Sequence, residues 1–236
     1  MSESISLKVS GVPRRIEFEM PAGPARPAEL LPVFRQFSNL MVEVAEGRAA
    51  AAGEEISCIK GCGACCRQLV PIRAMEARRL AEYVRAMPEP RRAVILERFH
   101  DAARQLAAGG MRERLDARGD LDQAGRVRLK IGYFALGIAC PFLEAESCGI
   151  YDERPMICRE HLVTTPAQWC AAPGQHPIRT LPMTRADSVV AKMEPDAAGW
   201  IPLVDLLEWA DANPVDEAEC GDPRAMLEQF VRDLIG

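Results

Sequence analysis

The chain has few of the side chains from which most enzyme sites are built, and its absences narrow its function before any motif is considered. Histidine occurs three times, and only four lysines are present, Lys8, Lys60, Lys130 and Lys192, so cysteine is nearly the sole candidate metal ligand and arginine carries most of the basic charge. The net charge is −5 and the pI near 5.4. General binding to nucleic-acid phosphates or anionic lipid needs a broad positive field and is excluded on that ground, although a local basic patch is not. No run of about 18 apolar residues occurs, which removes a membrane-spanning helix. The opening stretch MSESISLKVSGVPRRIEFEM contains no continuous apolar segment of the secretory type, so the mature chain is expected to start here and to be cytoplasmic. A P-loop, a GxGxxG after a strand, GxSxG and HExxH are all missing. Catalytic residues stay unassigned, and any enzyme chemistry would rest on a bound metal, as in an iron–sulfur oxidoreductase.

Cysteine, by contrast, is abundant: nine residues, seven of them in two groups. Cys58, Cys62, Cys65 and Cys66 lie in CIKGCGACC; Cys140, Cys148 and Cys158 lie in CPFLEAESCGIYDERPMIC. Cys170 follows as an eighth, and Cys220 stands apart. A reducing cytosol disfavours disulfides, so the pattern points to metal or redox chemistry. Thiolate is a strong soft ligand, and short spacings bring several sulfurs to one centre with little backbone rearrangement. On a helix the first four cysteines would share one side, and a loop running into a helix is the expected local form. Vicinal Cys65 and Cys66 diverge in most backbone conformations; they either serve two metal atoms or leave one to pack. The wider spacing of the second group suits loops folding over a centre. The expected ligands are Cys58, Cys62, Cys65, Cys66, Cys140, Cys148 and Cys158, with Cys170 as a further metal ligand.

Other residues near the cysteines each have a functional and a bland reading. Arg67, Arg154 and Arg159 would lower thiol pKa values if they face the sulfurs, or would be solvated if they do not. His161, three residues after Cys158, would be a ligand or a hydrogen-bonding histidine, while His100 and His176 read as surface positions. Glu144, Glu146 and Tyr151 would supply acid–base groups or hydrogen bonds to the ligands, or lie in solvent.

Apolar periodicity outlines a mainly α chain: a compact helical metal-binding domain with irregular cysteine-bearing loops and a small N-terminal β-hairpin. The hairpin is expected from alternation over Ser4–Val9 and again from Ile16 to Met20, and a Pro-rich connector follows. Residues 1–27 form this peripheral part, and 28–236 the helical domain with its motif core at 58–170. Helices are expected from Pro32 to Ala52, Arg73 to Met87 and Arg91 to Ala108, the last two with a solvated arginine face. A short helix plus loop over Met111–Asp122 and a helix over Gly125–Gly137 follow. An irregular stretch covers Pro166–Pro182, and helices close the chain over Ile201–Ala210 and after Asp222-Pro223.

The combination C-x3-C-x2-CC, then CPFL-x4-C-x-IY-x2-RP-x2-CR, resembles the YkgJ-type cysteine-cluster family, also called the CxxCxxCC or zinc- or iron-chelating domain family. The later CREHLVTTPAQWC is similar to an extension in a bacterial branch. The resemblance implies a cysteine-rich metal site, iron–sulfur or zinc, on the seven matching cysteines; it implies no particular reaction. The first interval is one residue longer than the family's short name, which leaves Cys58 the least secure ligand of its group. Flagellin lysine N-methylases carry a similar pattern. Cys58, Cys62 and Cys65 also match the minimal spacing of radical S-adenosylmethionine enzymes, but no alternating strands and helices of a βα barrel accompany it.

Zinc ordinarily takes four ligands and a [4Fe–4S] cluster also four, so a larger thiol set implies two centres or a polynuclear one. An iron–sulfur cluster is the expected cofactor and zinc the alternative. The corresponding functions are a soluble metal protein with an electron-transfer or oxidoreductase role and an unidentified protein or redox partner, or a noncatalytic zinc module for partner binding or metal delivery.

Overall fold

The computed structural model describes residues 2–9, 11–194, 199–214 and 220–235. Strands β1 (Ser2–Val9) and β2 (Val12–Glu19) pair antiparallel with Ile5 opposite Ile16. Alternation puts Leu7, Val9, Ile16 and Phe18 on the inner face, where they meet α1 (Leu31–Ala51) and α9 (Pro223–Ile235). The seal between these helices is aromatic. Phe34 stacks on Phe230 at 4.2 Å, and Phe37 meets the same ring edge-on at 5.7 Å. Such pairs stabilise by about 1 kcal/mol beyond their buried area.

A second core is built by α2 (Ala74–Arg85), α3 (Arg91–Ala108) and α8 (Leu206–Ala212), around Leu80, Val84, Ile95 and Leu206. A third lies between α3, α4 (Arg112–Asp116) and α5 (Gln123–Ala135), around Leu106, Leu115 and Leu129. Asp122 caps α5, accepting from the Gly125 N–H at 2.6 Å. Two pairs of two-residue strands complete the frame among the described residues: β3 (Pro71–Ile72) with β6 (Ile201–Pro202), and β4 (Leu143–Glu144) with β5 (Ser147–Cys148). The short helices α6 (Met156–Arg159) and α7 (Ala186–Met193) lie between.

Two expectations need correction. Ile201 and Pro202 are not helical: they form β6, a 3-10 turn follows, and the helix begins only at Leu206. Pro202 cannot donate within a helix interior, and pairing with Pro71-Ile72 satisfies this segment instead. The arginines of α3 are also not all on a solvated face. Arg91 donates to the Gly149 carbonyl at 2.6 Å, and Arg98, seven residues on and on the same side, donates to the Leu143 carbonyl at 3.0 Å.

Buried and half-buried carboxylates at helix starts tie distant parts together. Glu194 accepts from the Ala74 and Met75 N–H groups at 3.0 and 2.7 Å, and Glu160 from Ala186 at 2.9 Å and from the Ser38 hydroxyl at 2.8 Å. Helix N-termini present unpaired N–H groups and favour such anions. Helix α7, which no local signal announces, starts on Glu160. Fully buried Glu76 accepts from Met156 N–H at 2.8 Å, and burial lifts its pKa to about 7.

This sets a pH dependence. Between the ordinary carboxyl value of 4.5 and about 7, the folded chain holds a proton on Glu76 that the unfolded chain has released, so stability falls as pH rises through that window. The stability of E76Q relative to wild type is expected to rise by up to about 3 kcal/mol across it. Urea denaturation of both proteins at pH 5 and pH 7.5 measures the change; a pH-independent difference would refute it.

Candidate metal centre

The first cysteine group does not form the expected helix. Residues 57–69 run as successive turns closed by Cys62 N–H to Ile59 O at 3.1 Å, Cys66 N–H to Gly63 O at 2.9 Å and Gln68 N–H to Cys65 O at 3.0 Å. Gly61, at φ +98°, reverses the chain in a conformation closed to most residues. The second group starts directly on the first: Cys140 N–H donates to Cys66 O at 2.7 Å. Its β4–β5 hairpin turns through Ala145 and Glu146, both left-handed at φ 47° and 59°, a conformation costing non-glycine residues about 1–2 kcal/mol each. Arg67 holds this tip by gripping both Glu146 carboxylate oxygens at 3.0 and 2.7 Å.

Six of the expected ligands meet on one wall. Cys62, Cys65, Cys66, Cys140, Cys148 and Cys158 line a single cavity of about 370 Å³, open to solvent beside Ile59. Cys58 and Cys170 lie to one side, around His161. Cys58 Sγ accepts from Val163 N–H at 3.4 Å, and buried Cys170 Sγ is 3.9 Å from His161 Nε2. The His161 ring lines the cavity as well, and its burial lowers its pKa, favouring neutral imidazole. Cys220 is exposed, and none of the nine cysteines is paired in a disulfide. Among the described residues no three Cys, His, Asp or Glu side chains converge at ion-binding distance, so the sulfurs stand around the cavity rather than meeting at one point.

The electrostatics are those of half-buried thiols gathered in one place. Burial pushes Cys140 up to about 12, Cys170 up to about 11 and Cys158 well above the usual range. The vicinal pair splits. Cys66 donates to Cys65, which is drawn down to about 7 while Cys66 rises, and Arg154 also favours the Cys65 thiolate. A soft cation that replaces these protons removes the cost of gathering several thiolates. Among the described residues no carboxylate lines the cavity, so its donors fit a thiolate-preferring metal or cluster and not a hard, oxygen-seeking cation.

The three arginines beside cysteines have three different fates. Arg154 lines the cavity and lies 3.6 Å from the Tyr151 ring centre. Arg67 turns outward to Glu146. Arg159 is buried, donating to the carbonyls of Arg154 and Asp152 and to Asn39 Oδ1, and so pins the turn that presents Arg154. Glu144 is paired with Arg91 and Arg98, and neither it nor Glu146 reaches the cavity, whereas Tyr151 does. His100 is exposed on α3, and His176 stacks on Trp169.

Against known families, residues 57–173 match the CxxCxxCC model, described as "Putative zinc- or iron-chelating domain". Residues 57–173 carry a domain of the CxxCxxCC family. No curated protein and no solved structure matches the chain. The matched span contains every cysteine of the cavity wall together with Cys58 and Cys170. Among the described residues no helix is long and apolar enough to cross a membrane.

Residues missed in the sequence are those acting across long separations: Arg91 and Arg98, which hold the carbonyls around Cys148, and Glu76 and Glu160, which flank Cys158. The i, i+7 spacing of the two arginines was a faint signal; the glutamates gave none. The role of Gly63 is close approach. A Cβ there would stand 2.6 Å from the Glu146 carbonyl oxygen. Gly63→Ala is therefore expected to destabilise by about 1–3 kcal/mol and to lower bound metal. Thermal melting with metal analysis checks both, and unchanged values would show that the two loops separate freely.

Proposed function

We propose that this CxxCxxCC protein is a cytoplasmic iron–sulfur protein whose centre exchanges electrons with a partner. The observation that carries the reading is the six-thiol wall contributed by two separate segments, with no oxygen ligand among its charged groups. Cys62, Cys65, Cys66, Cys140, Cys148 and Cys158 would hold the group, with Cys58, Cys170 and His161 beside them. Sulfurs spread around a cavity of this size suit a polynuclear centre better than a single tetrahedral ion. When bound, such a cluster supplies one-electron transfer. The chain's own residues do the rest: Phe142, Ile150 and Leu203 keep the inner wall dry, and Arg154 offsets thiolate charge. The opening beside Ile59, which is 73% exposed, gives a partner an approach to the site.

Anaerobically purified protein is expected to contain iron and acid-labile sulfide and to show a broad visible band that bleaches reversibly on reduction. Zinc without sulfide or colour would instead select a structural or metal-delivery module and end the electron-transfer reading. Cys62→Ser and Cys148→Ser should each remove most of the bound metal, while Cys220→Ser leaves it unchanged. Elemental analysis of the three variants decides the ligand assignment, and metal retained in both wall variants would sink the shared site.

A further inference from the structure

The thiols occupy only part of the cavity wall. Apolar Ile59, Ile131, Phe134 and Ile157 line it too, Ile59 and Ile131 being exposed and so marking its outer part, and among the described residues every charged group that lines it is a cation: Lys130, Arg154 and Arg185. Lys60 adds a fourth at the edge, its Nζ 5.0 Å over the Tyr151 ring that Arg154 also covers.

Of these cations, nearby carboxylates neutralise only Arg185, which pairs with Glu160 and Asp187. Glu146 is paired with Arg67, Glu144 with Arg91 and Arg98, Glu153 with Arg35, and Glu160 with Arg185. Among the described residues no carboxylate lies within ion-pair distance of Lys60, Lys130 or Arg154, though most other arginines of the core loops have such partners. Two of the chain's four lysines thus stand unpaired at one opening of a protein with net charge −5. A metal bound by thiolates accounts for Arg154, which faces Cys58, Cys65 and Cys148. It does not account for Lys130, set beside Ile131 and Phe134 on α5. A volume of about 370 Å³ falls at the low end of the range for small-molecule pockets, roughly 300–1,000 Å³, and exceeds what one ion fills.

We propose that the outer part of this cavity binds a small organic carboxylate with a short aliphatic body, the head group held by Lys130 and Arg154 and the body lying on Ile59, Ile131 and Phe134. This rests on the reading of the inner wall as the metal site, which leaves the outer part for a second ligand. A guanidinium fork and an ammonium match a carboxylate, and the apolar surround strengthens that attraction while rejecting a cation of the same shape.

Hexanoate, hexanol and hexylamine, titrated calorimetrically into the full chain with metal measured on the same samples, test the assignment. Hexanoate should bind saturably and at least about tenfold tighter than hexanol, with no binding of hexylamine. Lys130→Gln, on an exposed helix face, should weaken hexanoate about fivefold without changing metal content. Ile131→Ser should weaken hexanoate and hexanol alike. Metal-replete protein that binds hexanoate no better than hexanol, or an unchanged hexanoate affinity in Lys130→Gln, overturns the proposal and leaves the metal reading standing. Hexanoate selectivity in protein that holds no metal overturns the metal reading instead and supports the pocket.

Discussion

The thiol wall depends on one junction, where the Cys140 N–H meets the Cys66 carbonyl and joins two segments far apart in sequence. A backbone hydrogen bond contributes only about 1 kcal/mol net, so it cannot hold the halves together unaided. It forms because the residues beside it are anchored elsewhere. Leu69 and Ile138 sit in the core of α3, α4 and α5, Phe142 and Ile150 in the core of α2, α3 and α8, and Met156 in the core of the hairpin, α1 and α9. Each cysteine-bearing turn therefore hangs between different cores. The loops can be irregular because their apolar neighbours, and not a ladder of their own, set their positions.

Polar groups then set the orientation that apolar burial leaves open. Arg35 and Arg159 fasten the Asp152–Arg154 turn to α1, Arg91 and Arg98 hold the carbonyls of the β4–β5 hairpin, and Glu76 receives the N–H at the start of α6. Burying so many charged groups is costly unless each is fully partnered. The arrangement is stable only as a set. Its result is that thiols and Arg154 turn toward the cavity while the carboxylates of the same loops turn away to other arginines. A site with sulfur inside and no competing oxygen follows from that sorting of charge.

That same sorting accounts for the contrast between an acidic chain and a basic opening. Net charge describes the whole molecule and excludes broad anion-binding faces, but it is silent on which charges cancel locally. Here Glu144, Glu146, Glu153 and Glu160 are neutralised by arginines, and the charges left unpaired at the cavity mouth, Lys60, Lys130 and Arg154, are positive.

The sequence alone determined the helical class, the N-terminal hairpin and the donor chemistry, because each is a matter of period or residue type over short spans. Alternation from Ser4 marked β1, the stripe from Phe34 to Val44 marked α1, and the clustered thiols named a soft-metal site. Only the tertiary structure decided which thiols share a wall, that the Cys58–Cys66 run turns instead of coiling into a helix, that Ile201-Pro202 pairs as a strand, and that α7 begins on a glutamate from another segment. It also decided that Arg154 faces the sulfurs while Arg67 and Arg159 do not. These outcomes rest on contacts between residues tens to more than a hundred positions apart, such as Glu76 with Met156 or Arg91 with Gly149, and no local pattern records which distant partner will satisfy a buried N–H, carbonyl or charge.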